Sequence, residues 1–166
     1  IKGKIYSLIG PSGSGKSTLL NILSLIDKPS SGILKIDNKD INFSDSITND
    51  QIRAKKIGII YQQNNLLPDF TALENIYLAR LSLETNKKKA VDKAKNILKQ
   101  MGLISRTNHY PSELSCWEKQ RLSIARSLIN EPEIILADEL TGSLDQSTAQ
   151  EVFKILYKLK NPKKLI

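Results

Sequence analysis

Residues 10–17, Gly-Pro-Ser-Gly-Ser-Gly-Lys-Ser, constrain this chain more than any other stretch. They fit the spacing G-x-x-x-x-G-K-[ST]. On one side lies a short apolar run, Ile5 to Ile9, and on the other a segment whose Leu19, Leu20, Ile22 and Leu23 keep helical spacing. The pattern predicts a buried strand, a glycine-rich turn and then a helix, which is half of a βαβ unit. Glycines let the backbone curl so that successive N–H groups point inward at an anion, and the positive end of the following helix adds a favourable field. Lys16 is then expected to reach the β- and γ-phosphates of a nucleotide. The Ser17 hydroxyl is expected to serve Mg2+, which takes oxygen ligands and keeps several waters. The bland alternative is a flexible glycine turn beside an unrelated lysine. Average residue frequencies produce this pattern by chance in a chain of this length about one time in a hundred or less, and the strand and helix flanks lower that further.

A second apolar strand, Ile134 to Ala137, ends in Asp138 and Glu139, the form expected where a buried parallel strand delivers its C-terminal end to a ligand crevice. Asp138 is expected to hold Mg2+ through its water shell, and Glu139 to polarise the water that attacks the γ-phosphate. Alone, such a string is as readily a strand running out into a solvated acidic turn; the phosphate loop in the same chain favours chemistry. Gln62 follows a further apolar run, residues 57–61, at another expected strand end, where it can contact Mg2+ or the water. Beside Gln63, Asn64 and Asn65 it also reads as part of a polar loop.

Between these strands the periodicity changes. Ile33, Lys35 and Asp37 alternate with Leu34 and Ile36 before a turn region at Asn38 to Asp40, which predicts an exposed hairpin. Thr71 with Glu74 has the spacing of a capping box, with Leu73, Ile76, Tyr77 and Leu81 on one helical face. A second helix carries Ala90, Val91, Ala94, Ile97, Leu98 and Met101 and stops at Gly102, with Lys87 to Lys89 on a solvated face. A third is expected from about Cys116 to Ile129, and a last one carries Val152, Phe153, Leu156 and Leu159. Strands at both ends with helices between them predict an α/β fold: a core of residues 1–65 and 130–166 with a mainly parallel sheet, and an inserted α-helical subdomain over residues 66–129.

Composition narrows the class. With 166 residues, 40% hydrophobic and 25% charged, the chain can bury a core and is neither a disordered tail nor a fibrous repeat. The formal charge of +8 suits nucleic acid, anionic lipid or a phosphorylated ligand without choosing among them. Cys116 is the single cysteine, so no disulfide or cysteine metal cluster forms within one chain, and a reducing, cytoplasmic setting is expected. No apolar run approaches the ~18 residues of a membrane span. The start at Ile1 and the apolar Leu165-Ile166 at the end suggest that both ends are cut.

The order of phosphate loop, IIYQQ, LS..EKQR and ILADELTGSLD closely resembles the ATPase subunit of ATP-binding cassette (ABC) transporters, across essentially the whole chain. The resemblance implies a P-loop NTPase (RecA-like) core and a dimer in which each ATP lies between the phosphate loop of one subunit and the signature motif of the other. It places nucleotide on Gly10, Pro11, Ser12, Gly13, Ser14, Gly15, Lys16, Ser17 and Thr18, with Ser115 reaching the partner's nucleotide. It makes Lys16, Gln62 and Glu139 catalytic and Ser17, Gln62 and Asp138 the Mg2+ ligands, with ATP and Mg2+ as cofactors. Leu114 and Ser115 open the signature, and Ser143-Leu144-Asp145 is the D-loop. Within the family, LLNILSLIDKPSSG, NNLLPDFTALENIYL and HYPSELS look most like the ATPase of the lipoprotein-releasing (Lol) system. That implies a peripheral ATPase on the cytoplasmic face of the bacterial inner membrane, bound to integral membrane subunits and to a second copy of itself, with no nucleic-acid partner.

The sequence departs from the family at the signature, usually Leu-Ser-Gly-Gly, where this chain reads Leu114-Ser115-Cys116-Trp117-Glu118. Trp117 is expected to add bulk where the partner's nucleotide sits, weakening dimer closure and hydrolysis. Ser115 with Glu118 has capping-box spacing, which is the purely structural alternative. Leu140 replaces the usual proline after the acidic pair, and the single histidine, His109, lies upstream of the signature and is not the family's switch histidine. The base platform of the family lies before Ile1, and Tyr6, on an expected buried strand, is a poor substitute. The leading expectation is therefore a transport ATPase. The alternatives are a degenerate half-site that binds nucleotide without turnover and, with only the charge in support, a soluble nucleic-acid-associated ATPase.

Overall fold

The structure, a computed structural model, describes residues 2–140 and 146–166, and the side chains of all of these except 147 and 148. The expected D-loop, Ser143-Leu144-Asp145, lies outside the described residues. Helix α1 (Lys16–Leu23) follows the glycine turn, and a hairpin of β1 (Lys35–Ile36) and β2 (Lys39–Asp40) comes next. The hairpin turns at Asp37-Asn38, a residue earlier than the sequence suggested. Both have left-handed φ, +51° and +63°, as a two-residue turn between twisted strands requires.

Helix α2 (Ser46–Lys56) has no counterpart among the sequence expectations. Its only large apolar residues are Ile47 and Ile52, and it buries just Asn49, so no periodic stripe announces it. Asp45 caps it by accepting from the Thr48 N–H at 3.0 Å, and Arg53, Lys55 and Lys56 occupy its last turn, where cations favour the helix dipole.

Strand β3 (Ile57–Ile60) and strand β4 (Ile134–Ala137) pair in parallel, Ile57 opposite Ile134 and Ile60 opposite Ala137. Leu165 bridges Ile134, also in parallel. The Tyr6 N–H donates to the Ile166 carbonyl at 2.8 Å while the Ile166 N–H donates to Lys4 at 3.2 Å, the hydrogen-bond pattern of one more parallel step. Segments that run parallel leave by one end. The loop after Ile9, the turn after Ile60 and the acids after Ala137 therefore emerge on the same side of the sheet.

The expected buried strand over Ile5 to Ile9 is corrected. The segment touches its neighbour only around Tyr6, and its side chains stay exposed: Ile9 is 89% exposed and Tyr6 55%. An apolar run alone does not bury a strand; a packed layer on each face does.

The helices divide the apolar residues between two clusters. Helices α3 (Ala72–Leu81) and α4 (Lys87–Gln100) pack Ile76 and Tyr77 against Ala90, Ala94 and Leu98, together with Leu122 and Ala125 of α5 (Cys116–Leu128). Thr71 and Glu74 form the expected capping box. Helix α4 ends in a left-handed Gly102 (φ +66°), with the Leu103 N–H on the Leu98 carbonyl at 2.8 Å and the Gly102 N–H on Lys99 at 3.1 Å. The second cluster joins Ile60, Ile135, and Val152 and Leu156 of α6 (Gln146–Leu159) to Ile124 and Leu128 of α5. Phe153, expected on the apolar face of α6, instead points outward and is 51% exposed. Helix α5 is thus the wall shared by both clusters. A β-carbon at Gly58 would lie 2.5 Å from the Ser127 carbonyl oxygen, so only glycine lets α5 lie this close to β3.

Candidate nucleotide site

Helix α1 opens on Gly15, whose φ of +86° is left-handed, and no side chain caps its first amides. Its first turn carries no acid. Gly13 is left-handed too, at φ +80°. The turn is closed by the Ser14 N–H on the Pro11 carbonyl at 3.3 Å, and a β-carbon at Gly10 would fall 2.7 Å from Ser14 Oγ. The Lys16 ammonium curls back to donate to the Gly10 carbonyl at 3.0 Å and the Pro11 carbonyl at 2.7 Å. Unused amides at a helix N-terminus and a cation tethered inside the same loop are the donors that a polyphosphate takes. The loop fits a nucleotide. Residues Gly10 to Gly15, Ser17 and Thr18 are exposed, and Lys16 is half-buried.

Across the sheet, the Asp138 N–H donates to the Ile60 carbonyl at 3.0 Å, which fixes Asp138 beside the end of β3. Gln62 lies two residues beyond that end, exposed in a turn. Glu139 follows Asp138 with φ +45°, a left-handed conformation that costs a non-glycine residue about 1 kcal/mol. Ser17, Gln62 and Asp138 offer a hydroxyl, an amide oxygen and a carboxylate. These are hard oxygen donors suited to Mg2+ held partly by phosphate and water. Among the described residues no group of three or more His, Cys, Asp or Glu forms a dedicated metal cage.

The turn carrying Gln62 is tied to α5 by residues that the sequence reading missed. Asn64 and Asn65 are both left-handed, at φ +50° and +43°. Arg126 donates through Nη2 to the Asn64 carbonyl at 2.7 Å and through Nη1 to the Asn65 carbonyl at 2.6 Å; Ser123 Oγ adds a bond to Asn64 at 3.3 Å. Burial pulls the Arg126 guanidinium below its ordinary pKa. The available signal was an arginine in an apolar helical stretch with no acid three or four residues away. Just beyond, buried Asn75 accepts from the Leu67 N–H at 2.8 Å and donates to the Leu67, Phe70 and Thr71 carbonyls, fixing the 67–71 loop.

The start of α5 is closed by its own side chains. Ser115 Oγ accepts from the Glu118 N–H at 3.2 Å and Glu118 accepts from the Ser115 N–H at 2.8 Å, a complete capping box. Arg106 Nε donates to the same carboxylate at 2.7 Å. The Arg106 bond first, and then the Ser115 amide, hold the Glu118 carboxyl down to about 2. Trp117 does not stand out from the helix. It is half-buried against the sheet cluster, with the Arg121 guanidinium 5.3 Å from its ring centroid. An aromatic ring gains by covering apolar surface beside a cation, which accounts for this packing within one copy. Cys116 is exposed.

Comparison with known proteins places the chain in a family. The family described as ABC transporter matches residues 1–142. The lipoprotein-releasing system ATP-binding protein LolD of Rickettsia bellii is 49% identical over 158 residues, covering 95% of this chain and 69% of that protein. LolD of Cytophaga hutchinsonii is 43% identical over 159 residues, 96% of this chain and 73% of that one. A solved dimeric ATP-binding cassette, MJ0796, in a post-hydrolysis state bound to ADP and Pi, superposes with a TM-score of 0.89 at 40% identity, covering 99% of this chain and 74% of its own. The chain belongs to the ABC transporter family. It has the cassette's P-loop NTPase fold, binds ATP and is an ATP hydrolase. The degenerate half-site finds no support.

Proposed function

We propose that this chain is the ATPase of a lipoprotein-releasing ABC transporter, working as a nucleotide-sandwich dimer on integral membrane subunits at the cytoplasmic face of a bacterial inner membrane. The likeness to LolD proteins supports the cargo. The observation that carries the chemistry is the open, uncapped start of α1 with Lys16 folded into its loop, on the sheet end where Gln62 and Asp138 also emerge.

In this reading, amides of residues Gly10 to Thr18 cradle the phosphates, and Lys16 exchanges the Gly10 and Pro11 carbonyls for β- and γ-phosphate oxygens. Ser17, Gln62 and Asp138 hold Mg2+, which neutralises charge building on the phosphates. Glu139 orients the attacking water and draws off its proton. Ser115 of the second copy closes on the γ-phosphate. Residues 1–65 and 130–166 form the nucleotide core and 66–129 the helical unit; the two apolar clusters that meet on α5 support that division. The turn after Gln62 and the block from Leu66 onward meet the membrane subunits.

The test is release of an inner-membrane lipoprotein from vesicles bearing the full transporter, driven by Mg-ATP, for wild type and Glu139→Gln. ATP-dependent release by wild type alone supports the reading. Turnover without release keeps the ATPase and overturns the cargo.

A further inference from the structure

We infer that Arg126 is a positioning residue for hydrolysis: its guanidinium locks the Gln62 turn to α5, so that the turn and the signature end of that helix move as one body. The inference rests on the proposed role of Gln62.

Three observations carry it. First, the contact is a fork, with Nη1 and Nη2 on consecutive carbonyls at 2.6 and 2.7 Å, a geometry that lysine does not reproduce. Second, those carbonyls converge only because Asn64 and Asn65 both take left-handed backbone, the kind of strain that persists where surrounding contacts enforce it. Third, Arg126 is a half-buried cation with no acidic partner among the described residues, its guanidinium held by backbone carbonyls instead. An arginine kept without an anion is a weak device for stability, since burial penalises its charge and carbonyl dipoles offset that only in part.

The seam it closes is incompletely satisfied elsewhere. Asn64 Oδ1 and, one helical turn before Ser123, Gln120 Nε2 are buried without a hydrogen-bond partner. Among the described residues, only Ser123 Oγ would still join the Asn64–Asn65 carbonyls to the helix without Arg126. Because Ser115 is the N-cap of α5 and Arg126 lies eleven residues on, three turns of one helix connect the clamp to the proposed signature contact.

The experiment uses the complete transporter with its membrane subunits and compares Arg126→Lys and Arg126→Met with wild type and Gln62→Ala. Both Arg126 variants should lose about tenfold in kcat, because misplacement of a reacting group is felt in turnover, while affinity for metal-free ATP measured in a Glu139→Gln background stays within about twofold. Asn65→Gly, which keeps the held carbonyl, should stay within about twofold of wild type. Amide exchange over residues 62–66 should speed up in Arg126→Lys without faster exchange in α3 and α4, which separates loss of the clamp from unfolding. Full activity in Arg126→Lys would overturn the fork, leaving only a charge. A matched rise in KM with unchanged kcat would overturn the positioning role. If Gln62→Ala is itself fully active, the reading of Gln62 fails; unchanged exchange in Arg126→Lys would separately refute the clamp.

Discussion

Two helix starts in this molecule are built in opposite ways. Helix α1 begins on a left-handed glycine, with no side-chain cap, no acid in its first turn, and a lysine curled into the preceding loop. Helix α5 begins on Ser115 with a reciprocal cap from Glu118, an anchoring Arg106 and an aromatic ring folded back onto the core. The four amides at a helix start need partners. At α5 a side chain takes the Glu118 amide, whereas no side chain takes any amide at the start of α1, where an anion can do so. The contrast supports the proposal that α1 receives phosphate from its own subunit. Of the unusual Cys116-Trp117 pair, Trp117 packs against the sheet cluster of its own copy while Cys116 is exposed.

The largest effect should come from the open start. Lys16→Ala removes the only cation in the loop and should lower ATP turnover by about a hundredfold or more, measured as steady-state hydrolysis, with the melting temperature nearly unchanged. At the closed start the sign of the effect moves from activity to stability. Trp117→Gly should cost about 2–3 kcal/mol, from lost burial and a glycine within a helix, read by denaturant unfolding, and should raise ATPase activity by no more than about twofold. A large gain in turnover would mean that the ring does obstruct the partner and would erase the contrast.

The smallest effect is a pH dependence. Glu118 has its carboxyl lowered to about 2 from an ordinary 4.5. A group with a depressed folded pKa contributes stability that is fully present above its unfolded value and is lost as pH falls through the folded one. The stability difference between wild type and Glu118→Gln should therefore be constant near neutral pH and shrink between about pH 4.5 and pH 2. A difference that is flat across that window would show that the cap does not depend on the charge.

What sequence could reveal follows the same division. The phosphate loop, the Thr71–Glu74 and Ser115–Glu118 boxes, the Gly102 stop and strand β4 are local patterns, each decided within a few residues by backbone geometry, and they occur where the spacing put them. Helix α2 was illegible because it buries almost nothing. The apolar run Ile5 to Ile9 and the outward Phe153 misled because exposure depends on what covers a face, which no local pattern contains. Arg126 and Asn75 act on backbone groups distant in the chain or in a neighbouring loop. The packing of Trp117 was illegible for a related reason: its partner Arg121 is local, but the sheet cluster it covers is not.

The central claim is that a cassette with a Cys116-Trp117 signature still turns over ATP. The most direct measurement is Mg-ATP binding and steady-state hydrolysis by the transporter with its membrane subunits, wild type against Glu139→Gln. Equal binding with turnover in the wild type alone is the predicted result. Equal binding with wild-type turnover no greater than that of Glu139→Gln would contradict it.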